Sequence, residues 1–412
     1  MLIHWLGYEI ETTISFLFIA IAVIFVAILG IYHIIAMFFK IPSDIGNHLS
    51  EQKNEKGYKL LTQGFTAIAE GDTKKAKKLA DKSGKLLKDS SMNLLLSAQV
   101  AQLEGDKEKI TKLFSEMAES KEMATIGLRG LLMEAKKEQN ADKALEYAEK
   151  IKKRTPKQEW IYPVLIELYA YTKNWQKTLD TIKHAAKHGF ISKQNAMKKN
   201  AIVYYEMAQD AKQDADKLAF LKKSHNIYAG IIPASIEYAK LAGKEKILHK
   251  AWATNPHPDI GNAYLDFIKD LKEEQQTKKL RAFFENNPEH YETYLFAAEL
   301  AIKEQNWDEA KRQLGRASGL YTSKKIYKLL AEISEKEDGN LEKVQEYWRE
   351  AAIAPEDASW MCNECGNKHE EWAGVCGFCH SFGTVEWEMA TRNMDANVLL
   401  EAYETETESD AN

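Results

Sequence analysis

The sequence predicts an all-α protein in which a membrane-spanning helix precedes an array of helix pairs and a small metal-binding ribbon follows it. Three observations lead there: an uncharged apolar run near the N-terminus, a turn phrase that recurs every 34 residues, and four cysteines confined to residues 362–379. Eight prolines and 21 glycines among 412 residues are too few for a turn-rich β-barrel or a disordered linker protein. The net charge of −5 argues against a nucleic-acid partner.

The apolar run spans residues 14–39, which carry no charged side chain. A helix of this length covers about 39 Å, whereas a bilayer's hydrocarbon core is about 30 Å thick. Residues 1–13 contain no Lys or Arg, so a cleaved signal peptide is not predicted. Lys40 and three further lysines up to Lys59 follow the run. The positive-inside rule therefore places residues 1–13 in the periplasm and the bulk of the chain in the cytoplasm.

A turn phrase recurs along residues 57–355, and a small or medium-sized residue follows each phrase at a fixed place. Four copies place this residue at 34-residue intervals and two later copies repeat the interval: Ala76, Ile110, Ala144, Thr178, then Ala310 and Val344. Thirty-four is the period of tetratricopeptide repeats, so a tetratricopeptide-repeat α-solenoid is predicted. We expect a Gly or Asn to end one helix in the left-handed conformation and an Asp or Asn to cap the next.

The middle of the array is less regular. We align Asp216 and Gly243 to the same turn at uneven spacing, and residues 255–285 form a weaker interruption with another helical pair. A non-repeating helical bundle is the alternative. Stacked repeats offer a concave groove for a protein segment. Six aromatic residues are candidates for lining it, although packing between repeats is the preferred role for most: Trp160, Tyr162, Tyr169, Tyr171, Tyr204 and Tyr205.

The four cysteines form two CxxC pairs: Cys362, Cys365, Cys376 and Cys379. Two tight turns would each present two thiolates, and four thiolates complete the tetrahedral shell of Zn²⁺. The prediction is a structural zinc site with no open position, and rubredoxin-type iron is the alternative. Disulfides are disfavoured in a reducing compartment. Because four thiols already complete the ligand set, His369 and His380 are expected to be bystanders.

The surrounding residues complete the domain plan: a juxtamembrane linker at 40–56, repeats at 57–355, a ribbon at 356–388 and an acidic tail at 389–412. Residues 360–387 contain four glutamates and a single lysine, so the net charge of this segment is negative. A negative segment is unsuited to binding phosphates. Five aromatic residues are expected to cover the ribbon: Trp360, Trp372, Phe378, Phe382 and Trp387.

Sequence motifs for catalysis are missing. The chain contains no P-loop, GxGxxG, GxSxG or HExxH phrase, and its histidines are scattered. We therefore predict that the protein is not an enzyme and has no catalytic residues.

The stretch Trp5-Leu6-Gly7-Tyr8-Glu9-Ile10-Glu11-Thr12-Thr13 resembles the W-x-G-Y-x-I-E-T-S signature of the HemY N-terminal family. Residues 57–72, 101–106 and 127–131 resemble that family's first repeats, and residues 360–387 are similar to the ribbon of alphaproteobacterial members. The resemblance implies an inner-membrane protein with cytoplasmic repeats, linked by name and genetic context to porphyrin and heme metabolism. It does not imply the oxidase that shares the HemY name.

The sequence departs from the family pattern in two places. Family members usually carry an apolar helix before the signature, so a first transmembrane helix is expected to be either absent or outside the assigned start. Gly377 and His380 stand where the family tends to Pro and Gly, so His380 is expected to require a strained positive φ.

The resemblance favours a membrane-anchored scaffold whose repeats bind proteins, and heme-pathway enzymes are the expected partners. The ribbon is expected to cap the last repeats or to add a second docking face. One alternative is a regulator of lipopolysaccharide assembly that resembles LapB, which shares an anchor, these repeats and a CxxC pair. A redox or heme-handling protein that holds iron is the alternative from another class.

Overall fold

The computed structural model describes residues 2–5, 8–11, 14–87 and 91–389 and confirms the all-α class. The acidic tail from residue 390 onward, and Leu6, Gly7, Thr12 and Thr13 of the N-terminal signature, lie outside the described residues. The helices are α1 (Ile14–Ala69), α2 (Thr73–Leu86), α3 (Ser91–Glu104), α4 (Lys107–Glu119), α5 (Ala124–Lys137), α6 (Ala141–Arg154), α7 (Ile161–Tyr171), α8 (Trp175–Lys187), α9 (Lys193–Gln209), α10 (Asp214–Ile227), α11 (Ile232–Ala242), α12 (Lys246–Thr254), α13 (Pro258–Ile268), α14 (Glu273–Phe284), α15 (Tyr291–Lys303), α16 (Trp307–Leu320), α17 (Lys324–Glu337) and α18 (Leu341–Ile353). The strands are β1 (Leu2–Trp5), β2 (Tyr8–Glu11), β3 (Ser359–Cys362), β4 (Lys368–His369) and β5 (Val385–Glu388).

The chain divides into two compact units, Met1–Glu138 and Gln139–Asn412. In the first unit, β1 and β2 pair antiparallel ahead of α1, which runs for 56 residues. Its segment Ile14–Ala36 has a mean hydropathy of 3.1 and is long and apolar enough to cross a membrane. This segment is a candidate membrane anchor. The same helix continues through 40–56, so the predicted juxtamembrane linker is helical and leads directly into the first repeat.

The C-terminal part of α1 packs against α2 and α3 to form the core of the first unit. Leu61 and Ala67 meet Leu96 and Val100 in this core, all of them buried. A Cβ atom on Gly64 would lie 2.6 Å from Leu96 Cδ2, so glycine permits the close approach of α1 and α3. The first repeat therefore begins inside the long N-terminal helix.

The regular turns between paired helices share one local arrangement. At the first, Gly71 has φ +75°, and the Asp72 carboxylate accepts a hydrogen bond of 2.9 Å from the backbone N–H of Lys75. The N–H of Asp72 donates to the carbonyl of Ala67 at 2.9 Å, which satisfies a carbonyl at the end of α1. Asp106 makes the equivalent two bonds in the next turn. The predicted left-handed glycine and Asp cap are thus both present here.

Three other turns differ from the expectation for the left-handed position. There the Asn is the N-cap, and the preceding residue takes the positive φ: Gln139 (+56°), Lys173 (+55°) and Gln305 (+58°). The expectation that Asn would end the first helix is wrong at these turns. An Asn side chain that must accept from an N–H three residues later needs an extended backbone, so the left-handed geometry falls on its neighbour.

The residue four places after the cap is buried at five of the six aligned turns, as the spacing predicts, whereas Val344 at the sixth is half-buried. Ala76, Ile110, Ala144 and Ala310 are at most 3% exposed. Thr178 is also buried, and its hydroxyl donates to the carbonyl of Asn174 at 2.9 Å. Since the same position contacts the interior in each pair, the 34-residue period reports repeated packing and not coincidence.

The irregular middle of the array also consists of helix pairs. Helix α9 ends at Gln209 and α10 begins at Asp214. The alignment of Asp216 to the turn is therefore wrong by a few residues, since Asp216 lies in the first turn of α10. Gly243, with φ +62°, does end α11 as predicted. Residues 255–285 contain the pair α13 and α14.

The C-terminal strands form a three-stranded antiparallel sheet in the order β4-β3-β5. Trp360 pairs with His369 on one side and with Trp387 on the other. The side chains of Trp360, Cys362, Cys376 and Val385 belong to the same hydrophobic cluster as buried residues of helices α11–α15. The ribbon, as we name residues 359–388, therefore shares one core with the helices of the second unit.

Candidate metal centre and its helical seat

Each CxxC pair forms a tight turn closed by backbone hydrogen bonds. The N–H of Gly366 donates to the carbonyl of Cys362 at 2.8 Å, and the N–H of His380 donates to the carbonyl of Cys376 at 3.0 Å. Gly366 has φ +69° and His380 has φ +61°. The predicted strained conformation of His380 is present, because the second turn has the same geometry as the first but lacks a glycine at this place.

The two turns bring the four cysteine sulfurs together, all within 4.8 Å of one another. Cys362 Sγ lies 3.7 Å from Cys379 Sγ, and Cys365 Sγ lies 3.8 Å from Cys376 Sγ. Sulfurs bound tetrahedrally to zinc at about 2.3 Å would stand about 3.8 Å apart. The cysteines are unpaired thiols, and their spacing suits a single metal ion held by four ligands.

Donor groups surround the sulfurs. The Ser381 hydroxyl lies 2.8 Å from Cys379 Sγ, and the Thr384 hydroxyl lies 3.3 Å from Cys362 Sγ. The Asn367 side-chain amide donates to Cys365 Sγ at 3.3 Å, and the backbone N–H of Phe378 donates to Cys376 Sγ at 3.5 Å. Such second contacts orient metal ligands and offset the negative charge of a four-thiolate site.

These surroundings shift the pKa values of two of the thiols, Cys362 and Cys379, in opposite directions. Burial raises the pKa of Cys362, but hydrogen bonds from Thr384 and from backbone N–H groups outweigh it and lower the pKa to about 6. Burial raises the pKa of Cys379 to about 12. A divalent cation would favour the thiolate form at both, because a metal replaces the proton on each sulfur.

The two histidines of the ribbon lie at different places. His369 Nε2 is 3.3 Å from Cys376 Sγ, so this ring contacts a candidate ligand, although it does not belong to the set of four. The His380 ring packs edge-on against Tyr171 of α7, with 4.9 Å between centroids. Of the predicted apolar cover, Trp360 and Phe382 are buried, whereas Phe378 is 61% exposed.

Helix α9 forms the first part of the surface on which the ribbon rests. The Lys199 ammonium donates to the carbonyl of Phe382 and lies 5.2 Å from the centre of the Phe382 ring. Lys198 forms an ion pair with Glu386. Burial lowers the pKa of Lys198 to about 8. A Cβ atom on Gly374 would overlap Glu206 Oε1, so the ribbon backbone approaches α9 closely.

Helices α13 and α15 form the second part of this surface. The Trp387 indole donates to Glu292 Oε1 at 3.1 Å, and burial raises the pKa of Glu292. His257, the N-cap of α13, packs against two tryptophan rings, with centroids 5.0 Å from Trp360 and 4.3 Å from Trp387. Burial lowers the pKa of His257 to about 4, so its ring is neutral at pH 7.

These contacts fall on helices α7, α9, α13 and α15, each the first helix of a pair. The ribbon therefore lies along the first-helix face of the second unit and does not simply cap the last repeats. Sequence reasoning missed Lys198, Lys199, His257 and Glu292 because nothing in their local patterns marks them. Only a contact between residues about 95 to 185 positions apart gives them a role.

The six aromatic candidates for the groove separate by burial. Tyr162 and Tyr169 are buried, and Tyr162 packs beside His184 and Phe190. Tyr205 meets Trp372 edge-on at 5.3 Å, and Tyr171 meets His380. Two of the six thus face the ribbon, and the remaining pair, Trp160 and Tyr204, is partly buried.

Residues 1–105 match the family model of the HemY protein N-terminus. The probable magnetosome protein Mms48 of Magnetospirillum gryphiswaldense is 29% identical over 41% of this chain and 37% of its own length. Protein HemY of Escherichia coli K12 is 24% identical over 45% of this chain and 47% of its own length. The chain thus spans less than half the length of these relatives.

Parts of this chain are also similar to solved structures. The C-terminal part of a TPR repeat-containing protein from Cytophaga hutchinsonii has a TM-score of 0.39 and 12% identity, and it covers 50% of this chain and 87% of that one. The structure of Naa15/Naa10 bound to HypK-THB has a TM-score of 0.42 and 12% identity, and the match covers 73% of this chain and 54% of that one.

The 34-residue turns and the packing of successive helix pairs define a tetratricopeptide-repeat protein that carries a four-cysteine cluster able to bind a metal ion. Through its N-terminal match and its relatives, the chain is similar to the proteins named HemY and Mms48.

Proposed function

We propose that this protein is a membrane-anchored adaptor that binds other proteins at the cytoplasmic face of a bacterial inner membrane. The observation that carries the proposal is the combination of an exposed apolar helix at Ile14–Ala36 with stacked helix pairs that begin in the same helix. An apolar helix of this length confines a chain to the bilayer. Stacked helical repeats present extended surfaces for polypeptide partners.

The proposed partners are enzymes of heme and porphyrin synthesis, which the adaptor would organise or regulate without catalysing a step. The match of residues 1–105 to the HemY N-terminal family supports this proposal. A filled four-thiolate site also favours a structural role, because no coordination position remains for a substrate.

We propose further that Cys362, Cys365, Cys376 and Cys379 hold structural zinc. The sulfur separations of 3.7 and 3.8 Å support a tetrahedral ion. The small core that these turns share with α11–α15 gives such an ion a structural task.

Proximity labelling from the full-length protein in its native membrane tests the adaptor proposal. Heme-pathway enzymes should be labelled by the intact chain and less by a variant that lacks residues 360–387. A cytoplasmic version that lacks residues 1–39 controls for non-specific labelling. If no heme-pathway enzyme is enriched over this control, the heme part of the proposal is wrong.

The repeats and the CxxC pairs also favour a second candidate, a LapB-like regulator of lipopolysaccharide assembly. Depletion that alters lipopolysaccharide but leaves porphyrins unchanged would support it over the first. An iron-binding redox or heme-handling protein is the third candidate, since four thiolates also suit iron. Visible absorbance of the purified protein separates iron from zinc, because a zinc–thiolate site is colourless.

A further inference from the structure

The ribbon does not cover the whole first-helix face, and an open cleft remains where its β3–β4 side meets α9, α11 and α13. The cleft has a volume of about 480 Å³. Aromatic rings form part of its wall, and acidic side chains lie around them. Its aromatic members are Tyr205, Trp360 and Trp372, and its acidic members are Glu237, Asp259, Asp266, Glu370 and Glu371.

The negative charge of this cleft is largely uncompensated. Among the described residues, no Lys or Arg lies within salt-bridge distance of Asp259, Asp266, Glu370 or Glu371. Lys240 is the single basic residue in its wall. Glu237 differs from the others, because Lys217 pairs with it at 3.0 Å. His257, which lies beside Asp259, is neutral at pH 7 because burial lowers its pKa to about 4.

The aromatic wall makes the cleft more than a solvated acidic surface. Tyr205 and Trp372 meet edge-on at 5.3 Å, which fixes both rings at the edge of the opening. Trp360 is 6% exposed and is held by His257 and Trp387. A cation placed over such a ring is attracted by its electron-rich face, and Arg uses this contact most often. Carboxylates nearby would add charge-assisted hydrogen bonds to the same guanidinium.

We propose that this cleft, built jointly by the ribbon and the repeats, binds an arginine-bearing basic segment of a partner protein. The proposal rests on the adaptor function above and specifies the chemistry of its partner. A guanidinium stacks on Trp372 or Tyr205 while Glu370, Glu371 and Asp266 accept its hydrogen bonds. Since Glu370 and Glu371 belong to the ribbon and Asp266 to α13, the site exists only when the ribbon is seated.

The test uses the full-length protein in detergent micelles and a fluorescein-labelled nonapeptide that alternates Arg and Ala. Anisotropy should report saturable binding to the wild type. The double variant Glu370→Gln/Glu371→Gln should weaken binding about tenfold, which corresponds to about 1.4 kcal/mol. Trp372→Leu, which keeps apolar volume but removes the ring, should also weaken binding, and metal content checks that the ribbon stays folded.

The matched control is Glu342→Gln/Glu346→Gln, which removes the same charge from α18, outside the cleft. This control should change affinity less than twofold. Equal weakening by both double variants would show attraction to net charge alone and would overturn the proposal. Absence of saturable binding, or binding that Trp372→Leu leaves unchanged, would overturn it as well. In those cases the adaptor proposal still stands or falls by proximity labelling, which does not depend on this peptide.

Discussion

The regular repeat turns and the cysteine turns each contain a residue with positive φ, but different interactions stabilise them. A repeat turn such as Gly105-Asp106 is closed by its own neighbours, through bonds to Lys109 and Ala101. The cysteine turns are closed locally as well, yet their four sulfurs converge from two segments. The ribbon then rests on α9, α13 and α15 through Lys199, His257 and Glu292.

The difference concerns how far the loss of one interaction spreads. Several repeat turns make equivalent hydrogen bonds, so the loss of one bond should destabilise only the helix pair that contains it. The four cysteine sulfurs of the ribbon form one cluster that could hold a metal ion, and ribbon residues belong to the core of α11–α15. Damage to that cluster should therefore weaken the packing between the ribbon and helices α11–α15.

The largest expected effect follows the loss of one cysteine. Cys376→Ser removes a buried ligand, and structural zinc sites contribute about 10–16 kcal/mol in small metal-dependent folds. Metal content measured by mass spectrometry should fall from about one ion per chain to near zero, while far-UV circular dichroism keeps most of the helical signal. Phe378→Ala, at an exposed position between two ligands, is the control and should keep its metal. Unchanged metal content in Cys376→Ser would show that the four sulfurs do not form the site.

The next effect concerns the ribbon–helix contact itself. Trp387→Phe leaves the buried carboxylate of Glu292 without its indole donor, which should lower the free energy of unfolding by about 1–3 kcal/mol. Trp348→Phe, at an exposed position of α18, should change it by less than about 0.5 kcal/mol. Urea denaturation of both variants measures the difference. Equal effects would mean that the Glu292–Trp387 bond adds nothing to the seating of the ribbon.

A third effect concerns how the free energy of unfolding depends on pH through His225, a residue of α10 outside the ribbon. His225 is buried, with Nδ1 2.9 Å from the Ser235 hydroxyl, and burial lowers its pKa to about 4. Its unfolded pKa is about 6.5, so its contribution to stability is complete above pH 6.5 and is lost as the pH falls toward 4. Between pH 7 and 5 the wild type should lose about 2 kcal/mol more than His225→Asn. Comparing the two proteins cancels any metal loss that both share. Parallel pH profiles would contradict the lowered pKa.

The smallest effects concern the left-handed positions of the repeat turns. A Cβ atom on Gly105 would meet nothing within 4 Å, so Gly105→Ala should cost about 1 kcal/mol through backbone strain alone. Gln139→Gly should be neutral or slightly stabilising, because Gln139 already has φ +56°. The midpoint of thermal unfolding should fall for Gly105→Ala and should stay unchanged or rise slightly for Gln139→Gly. If both variants were destabilised equally, side-chain contacts and not backbone geometry would dominate these turns.

The sequence predicted the features that depend on local chemistry. Asp72 and Asp106 cap helices as their spacing indicated, and the positive φ of His380 was expected because the family tends to Gly at this place. The prediction was wrong where neighbouring residues could take the same backbone conformation, or begin the same helix, at nearly equal energy. The identity of the left-handed residue at 139, 173 and 305, and the start of α10 before Asp216, belong to this group.

The long-range contacts were outside the reach of the sequence. Lys199 on α9 has the sequence pattern of an ordinary surface residue until the ribbon is placed over it. Glu292 has the pattern of an ordinary acidic residue in the first turn of α15. Neither has a neighbour in sequence that reveals its partner. The proposed cleft depends on the same placement, because its aromatic and acidic residues come from four separate segments.

By itself the sequence determined the apolar helix, the 34-residue period and the four cysteines, because periodicity, capping and ligand spacing all act within a few residues. Tertiary structure alone decided where the ribbon rests and where a cleft remains beside it. The physical reason is that burial of Trp360, Trp387 and Glu292 is a property of two surfaces in contact, and neither surface specifies the other through local sequence.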